Sequence, residues 1–156
     1  MDDLNLLLRK NKKAIVIVAH PDDETIWMGG CLLRYKNIDW SIFSLCRLSD
    51  DDRAPKFKQV CDYYEAQCVI TDLDDEGELD MDTAVKEAER LIAEKVGDSS
   101  YDYIFTHGQN GEYGHIRHVT VNKAIKNLIS KRIISPSVVF YFSYKKDENN
   151  EHKVLA

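Results

Sequence analysis

His20, Asp22 and Asp23 lie within one short run, Ala19-His20-Pro21-Asp22-Asp23-Glu24, directly after the apolar stretch Ala14-Ile15-Val16-Ile17-Val18. Far along the chain, Tyr113-Gly114-His115-Ile116-Arg117-His118 supplies two more imidazoles three residues apart. Two histidines and one carboxylate suffice to hold a divalent metal with a coordination position left open, the arrangement of catalytic zinc sites. His20 and Asp23 are therefore expected ligands, with His118 the natural third. Adjacent residues on a turn point in different directions, so Asp22 is left as a general base beside a water of lowered pKa. His115 remains to polarise a substrate carbonyl, stabilise an oxyanion or protonate a leaving amine. The chemistry is metal-assisted hydrolysis. Zinc is the expected ion, and because histidine and aspartate ligands are permissive, iron or another divalent ion is also open to this set.

The elements that must position these groups alternate in type. Ala14 to Ala19 reads as a strand buried on both faces, followed by a helix over Glu24–Tyr35. Strands are expected at Trp40–Cys46, Cys68–Thr71, Tyr103–Thr106 and Ser137–Tyr144. Helices are expected at Pro55–Ala66, with Pro55 in the first turn, and at Thr83–Val96, with Gly97 as its stop. A last helix over Gly114–Ser130 places His115 and His118 on one face. This order predicts an α/β fold: a single-domain, Rossmann-like three-layer sandwich with a mostly parallel sheet, spanning residues 1–156. Its ligand site belongs at the carboxyl ends of the strands.

Composition narrows the partners. The 156 residues hold 44% hydrophobic and 31% charged residues, ordinary for a soluble globular protein. A net charge of −6 argues against nucleic-acid binding, and the cluster Arg53, Lys56, Lys58 reads as a solvated helix face. No apolar run reaches the roughly 20 residues needed to span a bilayer. The start, Met1-Asp2-Asp3-Leu4-Asn5, lacks the basic and apolar regions of an export signal, so the expected location is cytoplasmic. Cys31, Cys46, Cys61 and Cys68 form no C-x-x-C pair and read as reduced, mostly buried thiols. A homo-oligomer is compatible with the sequence. No G-x-G-x-x-G follows the first strand, which argues against a nucleotide-binding domain.

The run A-H-P-D-D-E, the later G-x-x-G-H-x-x-H and the alternating order resemble the LmbE/PIG-L family of zinc-dependent N-deacetylases. The resemblance extends from about Ala14 to the fifth strand. It implies a Rossmann-like fold and removal of an acetyl group from an N-acetylglucosamine-type amino sugar or its conjugate, a small-molecule substrate. Carried over by position, it makes His20, Asp23 and His118 the zinc ligands, Asp22 the general base and His115 the oxyanion-stabilising histidine. Arg53, after Ser49-Asp50-Asp51-Asp52, falls where the family often places a substrate-contacting arginine.

The chain departs from the family pattern in three places. The usual H-P-D-H is here His115-Ile116-Arg117-His118, and a cation close to His115 would lower its pKa. Lys56 stands where a glutamate is often found. The chain is also short beyond the fifth strand. These departures motivate an alternative, a catalytically impaired relative acting as a metal- or sugar-binding protein. Three further segments carry weaker expectations: His107 caps the end of the fourth strand or lines the cleft, Gln109–Gly114 is a plain connection or covers the sugar, and Asp72–Glu78 is a solvated acidic loop that also lies on the active edge.

Overall fold

Strand β1 (Lys13–Val18) is apolar on alternate and intervening positions alike because both of its faces are covered: Ala14 to Val18 are all fully buried. In the computed structural model, which describes residues 11–97, 99–147 and 150–155, with side chains as far as residue 144, this strand is the centre of the sheet. It pairs in parallel with β2 (Asp39–Ser44) on one side and with β4 (Tyr103–Thr106) on the other. β3 (Gln67–Ile70) pairs with β2, and β5 (Val138–Tyr141) pairs with β4, giving the order β3-β2-β1-β4-β5, all parallel. The expected α/β architecture is what the chain adopts, and the five-stranded sheet is wholly parallel.

The helices cover both faces, as parallel sheets require. α1 (Asp23–Arg34) and α2 (Arg53–Tyr63) close one face: Met28, Leu32, Phe57 and Cys61 pack on Ala14, Val16, Val18 and Ile42. α3 (Met81–Val96), the one-turn α4 (Gly111–Gly114) and α5 (Ile116–Ser130) follow in sequence. α3 and α5 close the other face, where Ala88, Ile92, Val121, Ala124 and Ile125 meet Ile15, Ile17 and Phe43. Burying such side chains contributes about 1.5–3 kcal/mol each, so these two clusters fix the strand ends from which the polar groups project.

Several boundaries differ from the sequence reading. β5 stops at Tyr141, and the polar tail, expected to be a turn or disordered end, forms an antiparallel pair of strands, β6 (Lys145–Asp147) and β7 (Asn150–Leu155). Gly97 does end α3, but in right-handed helical conformation (φ −55°) rather than the left-handed one expected of a glycine stop. Of the four free cysteines, Cys46 and Cys61 are buried, Cys31 is half-buried and Cys68 is exposed. The start of the chain, read above for an export signal, lies outside the described residues. Among the described residues no helix is long and apolar enough to cross a membrane.

Candidate metal centre and active site

Chain order reverses between β1 and β4: β2 and β3 are laid on one side of β1, β4 and β5 on the other. Connections therefore leave in opposite directions there, and a crevice opens at the carboxyl ends of the two strands. His20, Asp22 and Asp23 follow β1, and His107 follows β4. Asp74 and Asp75 lie beyond β3, and the turn into α5 brings His115 and His118 to the same edge.

Asp23 turns inward and is 3% exposed. One of its oxygens, Oδ2, accepts the His20 backbone N–H at 3.0 Å. The same oxygen lies 3.3 Å from His20 Nδ1, 3.3 Å from His118 Nε2 and 3.5 Å from His107 Nε2. Burial alone would raise its pKa, but the imidazoles of His107, His118 and His20 outweigh that and hold the carboxyl far below the usual range. Asp22 faces the other way, and its side chain is half exposed. It sits before the first turn of α1 with φ 127°, a backbone region that non-glycine residues adopt at a cost of roughly 1–3 kcal/mol. Glu24 holds this conformation, accepting the Asp22 N–H at 3.0 Å and the Thr25 hydroxyl at 2.7 Å. Burial and the neighbouring Asp23 charge raise the Asp22 pKa, opposed by Arg53 and His20.

Carboxylates behind the imidazoles set their tautomers, because an ionised carboxylate can only accept. His118 donates Nδ1–H to Glu112 at 2.6 Å, which turns Nε2 toward Asp23. That nitrogen is buried and has no partner in hydrogen-bonding geometry among the described residues. His20 donates Nε2–H to Asp75 at 2.9 Å, which turns its Nδ1 toward Asp23. His107 accepts the Ala19 N–H at Nε2 (3.0 Å), donates Nδ1–H to Glu112 (2.9 Å) and stacks on His118 with ring centroids 3.8 Å apart. Glu112 thus serves two imidazoles and also accepts the Gly108 N–H at 2.6 Å. Burial would raise its pKa, but His107 and His118 bring it down to about 2. The same balance acts on His118: burial lowers it, and Asp23 and Glu112 lift it to about 9, so a cation at Nε2 would take the place of a proton there.

His115 is not inside a helix with His118. It is the N-cap of α5, with extended backbone (φ −66°, ψ 125°), and its Nδ1 accepts the Arg117 N–H at 3.2 Å. The helix cannot begin earlier because Gly111 and Gly114 both have positive φ, and a Cβ on Gly111 would come within 2.9 Å of Val119. The neutral ring therefore keeps its proton on Nε2. Its ring centroid lies 4.7 Å from those of both His20 and His118. The His115 pKa is lowered, through burial first and then the charges of His20 and His118. The expectation that Arg117 would do this is corrected: its guanidinium is buried and pairs with Asp74 at 2.6 Å.

Arg53 begins α2 and lies 3.9 Å from Asp22 across the rim. The two border a cavity of about 360 Å3 floored by Phe57 and Val60, with Lys56 paired to Asp52 at its edge. The structure thus brings His20, Asp22, Asp23, His115, His118 and Arg53 to one edge of the sheet. Sequence reasoning did not single out Glu112 or Asp75, and for His107 it set lining the cleft below capping. His107 is a fully buried member of the cluster and also accepts the Ala19 N–H. The acidic loop is not simply solvated either, since Asp74 and Asp75 hold Arg117 and His20.

The donor set fits a divalent cation. Ring nitrogens of His20 and His118 converge with a carboxylate oxygen. The buried Nε2 of His118 has no hydrogen-bond partner among the described residues, and the His20 and His118 rings are each backed by a carboxylate, as metal-ligating histidines usually are. Groups of His, Cys and Asp able to hold an ion recur at this point, among them His20 with His115 and His118, and Asp23 with His107 and His118.

Residues 15–129, which include the whole cluster, match the family model described as PIG-L, GlcNAc-PI de-N-acetylase. The chain belongs to the PIG-L family. An uncharacterized protein of Acanthamoeba polyphaga mimivirus is 24% identical, the match covering 90% of this chain and 66% of the relative. This PIG-L chain thus spans just under two-thirds of that relative's length. Among solved structures it is similar to GalB, the 4-carboxy-2-hydroxymuconate hydratase of Pseudomonas putida, with a TM-score of 0.55 at 14% identity over 76% of this chain and 56% of that one. A UDP-N-acetylglucosamine 2-epimerase gives a TM-score of 0.56 at 15% identity, over 93% of this chain and 35% of the epimerase. At such identities these two likenesses concern the fold alone.

Proposed function

We propose that this chain is one metal-dependent deacetylase unit that hydrolyses the acetamide of an N-acetylglucosamine-type amino sugar or conjugate. The observation that carries the proposal is the convergence of His20 Nδ1 and His118 Nε2 on Asp23, with Asp22 turned outward beside them. His20, Asp23 and His118 would hold the ion, with zinc the favoured identity. A divalent ion there would supply Lewis-acid polarisation of the amide carbonyl and lower the pKa of a neighbouring water.

The remaining groups divide the proton work. Asp22, its pKa raised, accepts a proton from the attacking water as the new C–O bond forms. His115, neutral and carrying its proton on Nε2, donates a hydrogen bond to the carbonyl oxygen as negative charge develops there. The proton held by Asp22 then passes to the amide nitrogen, the C–N bond breaks, and acetate and a free amine leave. Arg53 and the cavity floored by Phe57 and Val60 receive the sugar beside Asp22. Arg117 pairs with Asp74, which weakens one ground for the impaired reading.

The test is a screen of N-acetyl amino sugars with the zinc-loaded protein, reading free amine with an amine-reactive fluorophore. Amine release that disappears in Asp22→Asn supports the proposal. Tight metal binding with no release from any N-acetyl sugar would sink it in favour of a metal- or sugar-binding protein.

A further inference from the structure

Arg117 is among the largest fully buried side chains of the protein, yet the carboxylate it pairs with comes from a loop over forty residues earlier. Its Nη2 donates to Asp74 Oδ2 at 2.6 Å and lies 3.5 Å from the Leu79 carbonyl oxygen, while Nε and Nη1 are buried without a partner. Asp74 is itself the hub of the β3–α3 loop, accepting the backbone N–H groups of Glu76 at 3.0 Å and Leu79 at 2.9 Å. The next residue, Asp75, takes the Nε2–H of His20. Arg117 stands between His115 and His118 in the chain, so one ion pair ties the second histidine segment to the loop that orients the first.

We propose that Arg117 is a positioning residue: by pairing with Asp74 it fixes the β3–α3 loop so that Asp75 holds the His20 ring in place. This rests on the reading of His20 as a metal ligand given above. Arg47 offers a second clamp, reaching Asp75 at 2.5 Å and Glu76 at 2.8 Å. Its side chain is 31% exposed against 2% for Arg117, so solvent and salt weaken the Arg47 pair far more. The pair made by the buried guanidinium is therefore the one that sets the loop. A family pattern with a carboxylate between the two histidines is here inverted, the cation sitting in the motif and the carboxylate arriving from the loop.

The experiment compares wild type with Arg117→Met, Asp74→Asn, the double variant and Arg47→Ala, all shown to be folded by circular dichroism. Two readouts are taken: amide exchange of Glu76 and Leu79 in the chelator-treated protein, and Co2+ affinity with its visible absorption spectrum. Arg117→Met is expected to speed exchange at both amides and to weaken Co2+ binding roughly 10-fold with an altered spectrum, the scale of a lost partner behind a ligand. The double variant should fall no further than the worse single, because the two residues act as one unit. Arg47→Ala should change each readout less. The charge exchange Arg117→Asp with Asp74→Arg should recover part of the affinity. Unchanged exchange and an unchanged Co2+ spectrum in folded Arg117→Met would overturn the proposal, as would additive losses in the double variant. A wild type that binds no Co2+ would refute the metal reading instead, and the exchange measurement would still decide whether Arg117 sets the loop.

Discussion

Asp22 combines an unfavourable backbone angle, a half-exposed carboxyl and a raised pKa, and these have one local origin. The turn that sends Asp23 inward must send its neighbour outward, and Glu24 supplies the acceptor that keeps the turn in place. An asparagine at position 22 preserves the shape and removes the proton acceptor. Asp22→Asn should lower deacetylation about 10²–10⁴-fold, the range for a lost general base, with metal content by elemental analysis unchanged. Turnover surviving that change would assign the base elsewhere. Glu112 invites a second substitution. Its Oε2 accepts from both His107 and His118 while Oε1 accepts the Gly108 N–H. A glutamine must turn its NH2 toward at least one of these donors, so Glu112→Gln should weaken zinc binding about 10–100-fold in a chelator competition. Equal affinities would show that Glu112 does not act through His118.

At the scale of elements, the sequence displays what is local and hides what is not. The buried run of β1, the His-Pro-Asp-Asp turn and the spacing of His115 and His118 are contiguous, so their chemistry is readable in place. Glu112 looks like an ordinary loop acid until the turn at positive φ swings it under two imidazoles. Asp75 lies in a run of acids in which nothing distinguishes the one that meets His20, 55 residues away. Helix ends follow the same division: the start of α5 is set by the positive φ of Gly114 and the extended backbone of His115, which spacing does not reveal. Between helices, Glu89 of α3 accepts from Asn127 of α5 and pairs with Lys131 just beyond it. Burial would raise the Glu89 pKa, but Lys131 and Asn127 more than offset it and depress the value below the ordinary 4.5. A depressed folded value means stability that is full above pH 4.5 and fades as pH falls through the folded pKa. Glu89→Gln should therefore cost about 0.5 kcal/mol at pH 7, the scale of a half-exposed pair. The gap in thermal midpoint should narrow by pH 3.5; a gap that stays constant with pH would mean that ionised Glu89 contributes nothing specific.

For the molecule as a whole, the order β3-β2-β1-β4-β5 gathers His20 and Asp23 from the end of β1 and His118 from α5 beyond β4, with Asp75 reaching in from the β3–α3 loop and Glu112 from the one-turn α4. None of these segments can assemble a metal site without the sheet, so an ion should bind the folded chain far better than the unfolded one. Such binding stabilises by mass action, about 2.7 kcal/mol at a hundredfold excess over the dissociation constant. For a chain of this size that corresponds to roughly 5–10 °C in thermal midpoint. Chelation should therefore lower the midpoint of the zinc-loaded wild type by that amount, and zinc should restore it. In His118→Ala, which removes the nitrogen that finds no hydrogen-bond partner among the described residues, the midpoint should no longer respond to either treatment. The variant also separates two origins of the cluster's stability. If the imidazoles and carboxylates are held by their mutual hydrogen bonds alone, chelation will leave the wild type unmoved, and the convergence on Asp23 would be structural rather than a place for a cation.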